Sequence, residues 1–335
     1  MDDFSKKLAF GNRFCVYPFL HHHLTTSKEK TLCCGTDRAI EQDPGFNTQR
    51  YKEIRQAMLD NVDVDLCHRC YANEDLGKIS MRQAGIKDMK PYRSLLQDQI
   101  NKHLAGENLE PYWYDLRISN NCNLRCQMCG SSSSSSIAKE RGIENSYLSF
   151  EPDLEINPQS IKIYLAGGEP FLIKKFANIL NAVTNLDCEI VVNTNGTVTN
   201  KSLINALSRF KNVNMTVSID GYAALNSYIR RDSNWVDIDK NISKFQELGF
   251  SLHVNTVVQK DNINHLLELG KYLIDKGISN WSFIEVMDAD HLTWDKVDDL
   301  DQDQIESLKN LPIVQNKIDS VNLLNSIIKR WQKKT

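Results

Sequence analysis

Three cysteines near the middle of the chain have the spacing of ligands for one compact metal centre. Cys122, Cys126 and Cys129 follow a C-x₃-C-x₂-C pattern within eight residues. Soft thiolate ligands select zinc or an iron–sulfur cluster. Three thiolates leave one iron of a four-iron cluster open to bind another molecule, whereas a zinc site would need a fourth ligand. The nearest histidines along the chain are His103 and His253, so we favour the cluster over zinc.

Five more cysteines precede this motif and indicate a second metal site. They are Cys15, Cys33, Cys34, Cys67 and Cys70. A Cys-x₂-Cys pair with two distant cysteines is typical of zinc sites and of four-thiolate clusters. A metal at this place either takes part in the chemistry or only stabilises a segment that is rich in loops.

Composition and charge narrow the class of protein. Of the 335 residues 41% are hydrophobic, and the formal net charge is −3, so nothing favours a nucleic acid or a membrane surface as partner. No apolar run approaches the roughly 20 residues that span a bilayer, and the N-terminus lacks the pattern of a signal peptide. We therefore expect a cytoplasmic protein, in which clustered thiols bind metal rather than form disulfides. The ninth cysteine, Cys188, is expected to be a buried apolar residue.

Alternating strands and helices must position the central cysteines. Six strand-like runs occur from residue 111 onward: Tyr112–Ser119, Ile161–Ala166, Glu189–Asn195, Val213–Asp220, Ser251–Val258 and Trp281–Val286. The segments between them carry apolar residues at helical spacing. Six strand–helix units give a parallel α/β sheet but fall short of the eight that close a barrel. The fold class is therefore predicted to be a partial, open (β/α)₆ barrel.

The chain is predicted to divide into three parts. Residues 1–110 form a small Cys-rich domain with helices near Tyr51–Asp60 and Tyr92–Leu104, residues 111–287 form the barrel, and residues 288–335 form a helical extension that includes Ile313–Trp331. Pro170 suits the first turn of the helix after the second strand, and the serine run 131–136 can cap the next helix.

Several of the strands alternate apolar with polar residues, and this pattern indicates a polar interior. Val213, Met215 and Val217 face one way, while Asn214 and Thr216 face the other. If helices cover the apolar face, the polar face lines a wet, ligand-filled lumen, since burying it dry would be costly. Alternatively, some of these strands lie at an edge with a solvated face. The candidate residues for contacts with a cofactor or substrate are Asp115, Arg117, Asn193, Asn214, His253, Asn255 and Glu285.

These motifs together resemble those of the radical S-adenosylmethionine (SAM) enzymes. The family pattern is C-x₃-C-x-Φ-C, and Met128 stands here where an aromatic residue is usual. A second likeness is the run Gly167-Gly168-Glu169-Pro170, and a third is Ser218-Ile-Asp220-Gly221 with a downstream Arg230. The resemblance implies that Cys122, Cys126 and Cys129 hold a [4Fe-4S] cluster with one open iron. The residues that it implies for SAM binding are Gly167, Gly168, Glu169, Asn195, Ser218, Asp220 and Arg230.

The resemblance also implies a chemistry. The open iron would chelate the amino and carboxylate groups of SAM, with Glu169 accepting from the ammonium and Arg230 near the carboxylate. One electron from a donor such as flavodoxin or ferredoxin would split SAM into methionine and a 5′-deoxyadenosyl radical, which abstracts hydrogen from a substrate.

The N-terminal cysteines resemble those of a twitch or SPASM auxiliary-cluster module. The likeness includes Cys15-x₂-Pro, the Cys33-Cys34 pair, Cys67-x₂-Cys70 and the following Glu74…Ser80-x-Arg82. It implies a second [4Fe-4S] cluster held by Cys15, Cys33, Cys67 and Cys70, with Cys34 as the alternative to Cys33.

Relatives with such modules often modify peptides, so a peptide or protein is the first expected substrate. A sugar or nucleotide is the second. A non-catalytic iron–sulfur electron carrier and a zinc-binding protein are the alternatives from other classes.

Overall fold

The computed structural model describes residues 11–26, 31–36, 45–144, 146–149, 154–286 and 300–332. These residues pack into two compact units. The first comprises residues 1–118, 150–164 and 182–188, and the second comprises residues 119–149, 165–181 and 189–335, within the described ranges. The first predicted barrel strand belongs to the first of these units. Within the described ranges no helix is long and apolar enough to cross a bilayer.

The described strands and helices alternate over most of the chain. The strands are β1 (His21–Thr25), β2 (Trp113–Arg117), β3 (Arg125–Cys126), β4 (Lys162–Leu165), β5 (Glu189–Thr194), β6 (Asn212–Ser218), β7 (Arg230–Arg231), β8 (Ser251–Val258) and β9 (Trp281–Glu285). The helices are α1 (Tyr17–Leu20), α2 (Gln49–Leu59), α3 (His68–Asp75), α4 (Met81–Asp88), α5 (Arg93–Leu104), α6 (Ser135–Glu140), α7 (Lys175–Ala182), α8 (Lys201–Leu207), α9 (Ala224–Ile229), α10 (Trp235–Glu247), α11 (Leu266–Asp275), α12 (Gln302–Lys309), α13 (Pro312–Gln315) and α14 (Ile318–Gln332). All six predicted strands are present, and the predicted C-terminal helix is two helices, α13 and α14.

The first unit contains α1–α5 and a strand that the sequence did not predict. β1 pairs in parallel with β2, and the register sets His23 beside Asp115. Its three consecutive histidines carry no alternating pattern, so pairing with β2 rather than local preference makes this segment a strand. Thr48 caps α2, and Ser80 forms a capping box with Gln83 at the start of α4. The apolar faces of these helices form the core of the unit.

The second unit has the parallel strand order β5-β6-β8-β9. The predicted alternation in β6 is confirmed, since Val213, Met215 and Val217 are buried. Residues of α10, α11, α12 and α14 cover the apolar face of this sheet. The α/β fold class with a mostly parallel sheet is thus confirmed.

A short antiparallel ribbon within the second unit joins two segments that lie far apart in sequence. β3 pairs with β7, which sets Cys126 opposite Arg230 and Arg125 opposite Arg231. The guanidinium of Arg125 forms a two-pronged ion pair with Asp232, with contacts of 2.6 and 2.8 Å. The ribbon therefore fixes the central cysteine motif against the segment that follows α9.

Candidate active site

The three central cysteines lie on one loop of the second unit, directly after the end of β2. Cys126 is buried, and Cys122 and Cys129 are half-buried. The S–H of Cys126 donates to the sulfur of Cys129, which raises the pKa of Cys126 and lowers that of Cys129. Burial raises the pKa of the Cys122 thiol to about 11. A raised pKa means that deprotonating a buried thiol is costly, and a soft cationic centre bound to the thiolate would offset that cost. The three cysteines therefore fit an iron–sulfur cluster.

Nitrogen donors lie near two of the three sulfurs, those of Cys122 and Cys126. The backbone N–H of Leu124 donates to Cys122 Sγ at 3.5 Å, and Asn195 Nδ2 lies 3.9 Å from the same sulfur. Arg230 Nη1 lies 3.9 Å from Cys126 Sγ. Such donors stabilise thiolate charge, and they modulate the potential of a bound cluster.

The glycine pair after β4 allows a close approach of two backbones. Gly168 N donates to Ser119 O at 2.8 Å, and Glu169 N donates to Asn121 O at 2.7 Å. A Cβ on Gly168 would lie 2.2 Å from Asn121 O, which is far inside contact distance. Gly167 has φ +114°, a conformation that L-residues rarely adopt. The glycines therefore hold this turn against the start of the cysteine loop.

The Glu169 side chain is fully buried and accepts hydrogen bonds from other residues of the chain. Its carboxylate accepts from Phe171 N at 3.1 Å, Thr194 Oγ1 at 2.8 Å and Asn195 N at 2.8 Å. Burial raises the pKa of Glu169 to about 7, although these three donors lower it. The resemblance implied that Glu169 accepts from the ammonium of SAM, and the structure adds a second role, since the side chain connects the glycine turn to the end of β5.

This burial predicts a pH effect on stability. The pKa of Glu169 lies near 7 in the folded protein, whereas its ordinary value is 4.5. The protonated side chain therefore stabilises the fold fully below pH 4.5, and this stabilisation is lost as the pH rises to about 7. The loss amounts to about 3 kcal/mol in the free energy of unfolding. Urea unfolding of the wild type and of E169Q between pH 5 and 8 measures it. We expect the stability difference between them to shrink by that amount as pH rises; a constant difference would contradict the assignment.

Asp220 and Arg230 form a buried ion pair beside the cysteine loop. Arg230 Nε lies 2.7 Å from Asp220 Oδ2, and Asp220 Oδ1 accepts from Val257 N at 2.7 Å. Burial raises the pKa of Asp220, and Arg230 opposes this shift. Because Arg230 also touches Cys126, the pair connects the end of β6 to the cysteines. Sequence reasoning named both residues but not their pairing.

Four of the predicted substrate contacts lie on the polar face of the second unit. Asn214 Nδ2 donates to Glu189 Oε1 at 3.0 Å, and the hydroxyl of Ser218 lies 3.5 Å from Asn193 Oδ1. His253 Nε2 and Asn255 Oδ1 are 3.0 Å apart. Burial lowers the pKa of His253, so its ring is neutral at pH 7.

Glu285 lies on the other face, so its predicted orientation is wrong, while its contact with a substrate stays a prediction. It stands in register with Val258, while Trp281 stands in register with Val254. These residues belong to the side of the sheet that packs against helices, opposite to that of His253. Trp281 and Phe283 decide which way β9 faces.

The remaining two predicted contacts, Asp115 and Arg117, lie in the first unit. The Arg117 guanidinium bonds to both oxygens of Asp115 at 3.0 and 3.2 Å. Nε2 of the buried His23 lies 3.8 Å from the same carboxylate. Burial raises the pKa of the exposed Cys34 thiol, and the charge of Asp115 raises it too. Asp115 is therefore a buried carboxylate beside a cation and an imidazole.

The other N-terminal cysteines form a separate group in the first unit. Cys15, Cys33 and Cys67 are buried, and Cys70 is half-buried. Burial and, to a smaller extent, the nearby thiol of Cys70 raise the pKa of the Cys33 and Cys67 thiols to about 12.

A charged network holds the backbone next to Cys15. Arg82 donates to Phe14 O at 2.8 Å and pairs with Glu74, which also accepts from Ser80. This network fixes Cys15 relative to α3 and α4.

Among the described residues, no three histidine, cysteine or acidic side chains converge as they would around a single metal ion. A polynuclear cluster has its thiolates at separate iron atoms and does not require such convergence.

Comparison with known protein families identifies the domain that contains this loop. The model of the radical SAM superfamily matches residues 116–273. Residues 116–273 form a radical SAM domain. Its family implies a [4Fe-4S] cluster and SAM as cofactors, which agrees with the donor set described above.

Individual relatives match about half of the chain. The S-adenosylmethionine-dependent nucleotide dehydratase of Flammeovirga pacifica is 26% identical over 56% of this chain and 67% of its own length. The sporulation killing factor maturation protein SkfB of Bacillus subtilis is 25% identical over 52% of this chain and 43% of its own. The crystal structure of Streptococcus suis SuiB bound to S-adenosylmethionine aligns with a TM-score of 0.44, 17% identity, and 78% and 62% of the two chains. Relatives with different named activities thus share the radical SAM domain.

Proposed function

We propose that this chain reductively cleaves SAM at a [4Fe-4S] cluster held by Cys122, Cys126 and Cys129. These three cysteines would hold the cluster, which would supply one electron to the sulfonium of SAM; the products would be methionine and a 5′-deoxyadenosyl radical that takes a hydrogen atom from the substrate. The observation that carries the proposal is the set of three partly buried thiols on one loop of the radical SAM domain.

The residues of the chain bind and orient rather than carry out the electron transfer. Gly168 allows the turn after β4 to lie against the cysteine loop. Arg230 places a positive charge beside Cys126, and Asp220 fixes the position of that charge. Asn195 donates toward Cys122 and is itself held by Asn123 at 3.0 Å. Ser218 and the glycine pair complete the proposed set of SAM contacts.

Anaerobic reconstitution tests this function. The protein is loaded with iron and sulfide, reduced in the presence of SAM and assayed for 5′-deoxyadenosine. Release of 5′-deoxyadenosine supports the proposal. Iron without release would favour an electron carrier, and zinc in place of iron would favour a zinc-binding protein.

We further propose that Cys15, Cys33, Cys67 and Cys70 hold a second, auxiliary cluster. Their thiols interact electrostatically. Burial raises the pKa of the Cys15 thiol, and Cys67, Cys33 and Cys70 each raise it too. Cys34 is exposed instead, and its thiol donates to Met81 Sδ at 3.9 Å. This difference in surroundings favours Cys33 as the ligand and leaves Cys34 outside the set.

Single substitutions separate these two neighbouring cysteines. In C33A we expect the iron content to fall by about half relative to the wild type, because one of two clusters loses a ligand. In C34A we expect the iron content to stay within about a tenth of the wild-type value. Iron analysis with absorption spectra of the reconstituted proteins measures both. Equal loss in the two variants would contradict the assignment of Cys33.

The proposed substrate is a peptide or protein segment. Support comes from the likeness of the N-terminal cysteines to auxiliary modules and from the neutral amides and imidazole on the polar face of the second unit. A nucleotide is the second candidate, favoured by the named activity of the Flammeovirga relative. Turnover of purified peptides and nucleotides, measured as 5′-deoxyadenosine formed in excess of the substrate-free rate, separates the two substrate classes.

We propose a flavodoxin or ferredoxin as electron donor and the cytoplasm as location.

A further inference from the structure

The β3–β7 ribbon connects the cysteine loop to the surface of the second unit. Arg125 directly precedes Cys126 in β3, and Arg231 of β7 is exposed. Arg231 Nε donates to Arg125 O, the carbonyl oxygen directly before Cys126, at 2.9 Å. Only one hydrogen bond and one peptide unit therefore separate an exposed guanidinium from the buried Cys126.

The next residue of the loop is also held at this surface. Gln127 N donates to Ile229 O at 3.0 Å, and Gln127 Nε2 donates to Tyr228 O at 3.2 Å. Tyr228 itself is 60% exposed. Tyrosine and arginine are enriched where proteins contact one another. This side of the cysteine loop therefore has the composition of a docking surface.

The unpaired charges beside the ribbon are positive. The Glu140 carboxylate pairs with both Arg125 and Arg231. Lys139 and Arg141, which flank Glu140 along the chain, are both exposed. Of the residues that the structure describes, none forms an ion pair with either of them. Because the whole chain has a net charge of −3, this excess of positive charge is a local feature.

Such a surface suits a negatively charged redox partner. The proposed function needs one electron from outside the chain, and flavodoxins and ferredoxins, which carry single electrons, are acidic proteins. Opposite charges speed the encounter of two proteins and select their orientation, and transient redox complexes need only a small contact area.

We propose that this surface docks an acidic electron-carrier protein beside Cys126. We call it the donor face, and it consists of Arg125, Lys139, Arg141, Tyr228 and Arg231. The carrier loses one electron there and the cluster gains it, with no atom transferred. This inference rests on the proposed function.

Calorimetry on the reconstituted, anaerobic protein tests the donor face without turnover. Oxidised flavodoxin and oxidised ferredoxin are the probes, and we expect at least one of them to bind. In K139E/R141E we expect the dissociation constant at low salt to rise at least about tenfold. K201E/K271E makes the same change of charge at two exposed lysines elsewhere in the second unit. Its dissociation constant should stay within about twofold of the wild-type value.

The salt dependence of the wild type provides a test that needs no variant. In 0.5 M salt exposed charges are screened within about 4 Å, so binding should weaken at least about tenfold relative to low salt. A dissociation constant that does not change with salt would overturn the proposal. Equal weakening in the two double variants would overturn it too, as would the failure of both carriers to bind.

Two reductants separate docking from damage to the cysteine loop. The formation of 5′-deoxyadenosine is measured with the reduced carrier and with reduced methyl viologen, a small cation that needs no docking surface. In K139E/R141E we expect the carrier-supported rate to fall at least about tenfold and the viologen-supported rate to stay within about twofold. An equal fall with both reductants contradicts the donor face. If the wild type forms no 5′-deoxyadenosine with either reductant, the proposed function itself fails, whereas formation with viologen alone contradicts only the donor face.

Discussion

In G168A we expect the formation of 5′-deoxyadenosine to fall more than about 100-fold. The added Cβ would lie 2.2 Å from Asn121 O and 2.6 Å from the carbonyl carbon of Asn120. Both neighbours are backbone atoms of the cysteine loop, so no side chain can rotate away to make room. The turn after β4 or the cysteine loop must move, at a cost of about 3 kcal/mol. The measurements are the rate of SAM cleavage and the free energy of unfolding in urea.

A glycine of the cysteine loop itself, Gly130, provides the control. A Cβ on Gly130 would meet only Ser132 Oγ, at 3.9 Å. G130A should therefore retain activity within a few-fold and stability within about 1 kcal/mol. Equal effects of the two substitutions would show that close backbone approach at Gly168 is not what matters.

Replacement of any one of the three central cysteines by serine should abolish SAM cleavage. Serine retains the size of the side chain but loses the soft sulfur that iron prefers. For C126S we expect no 5′-deoxyadenosine above background, a loss of more than about 1,000-fold. The auxiliary site proposed in the first unit should keep its iron, so that about half of the total remains. Iron analysis and chromatography of the reaction products measure both quantities.

Met128 in the same loop serves as the matched control. M128L preserves an apolar side chain of similar volume and removes no ligand. Activity and iron content of M128L should lie within about twofold of the wild type. Substantial SAM cleavage by C126S would contradict the cluster assignment.

The strands and the central cysteine motif were predictable from sequence because both depend on local pattern. Alternating residues in β6 and β8 fixed which side chains share a face, and cysteine spacing does not depend on the fold. β1 could not be predicted, since His21–His23 becomes a strand only by pairing with β2. The face of Glu285 was wrong because the bulky Trp281, packed in the core, sets the orientation of β9.

Contacts between residues that lie far apart along the chain were the second kind of feature that could not be predicted from the sequence. Asp220 and Arg230 each had a predicted role, but their ion pair depends on the packing of α9 and the β3–β7 ribbon. The separation of Cys33 from Cys34 likewise depends on Met81, which lies 47 residues further along the chain than Cys34.

The β3–β7 ribbon has a consequence for the position of Cys126. Arg125 and Arg231 both contact Glu140, at 2.9 and 2.8 Å, in addition to the pairing of Arg125 with Asp232. One carboxylate at the end of α6 therefore binds both strands of the ribbon. Loss of that carboxylate would weaken both strands at once, and with them the placement of Cys126 opposite Arg230.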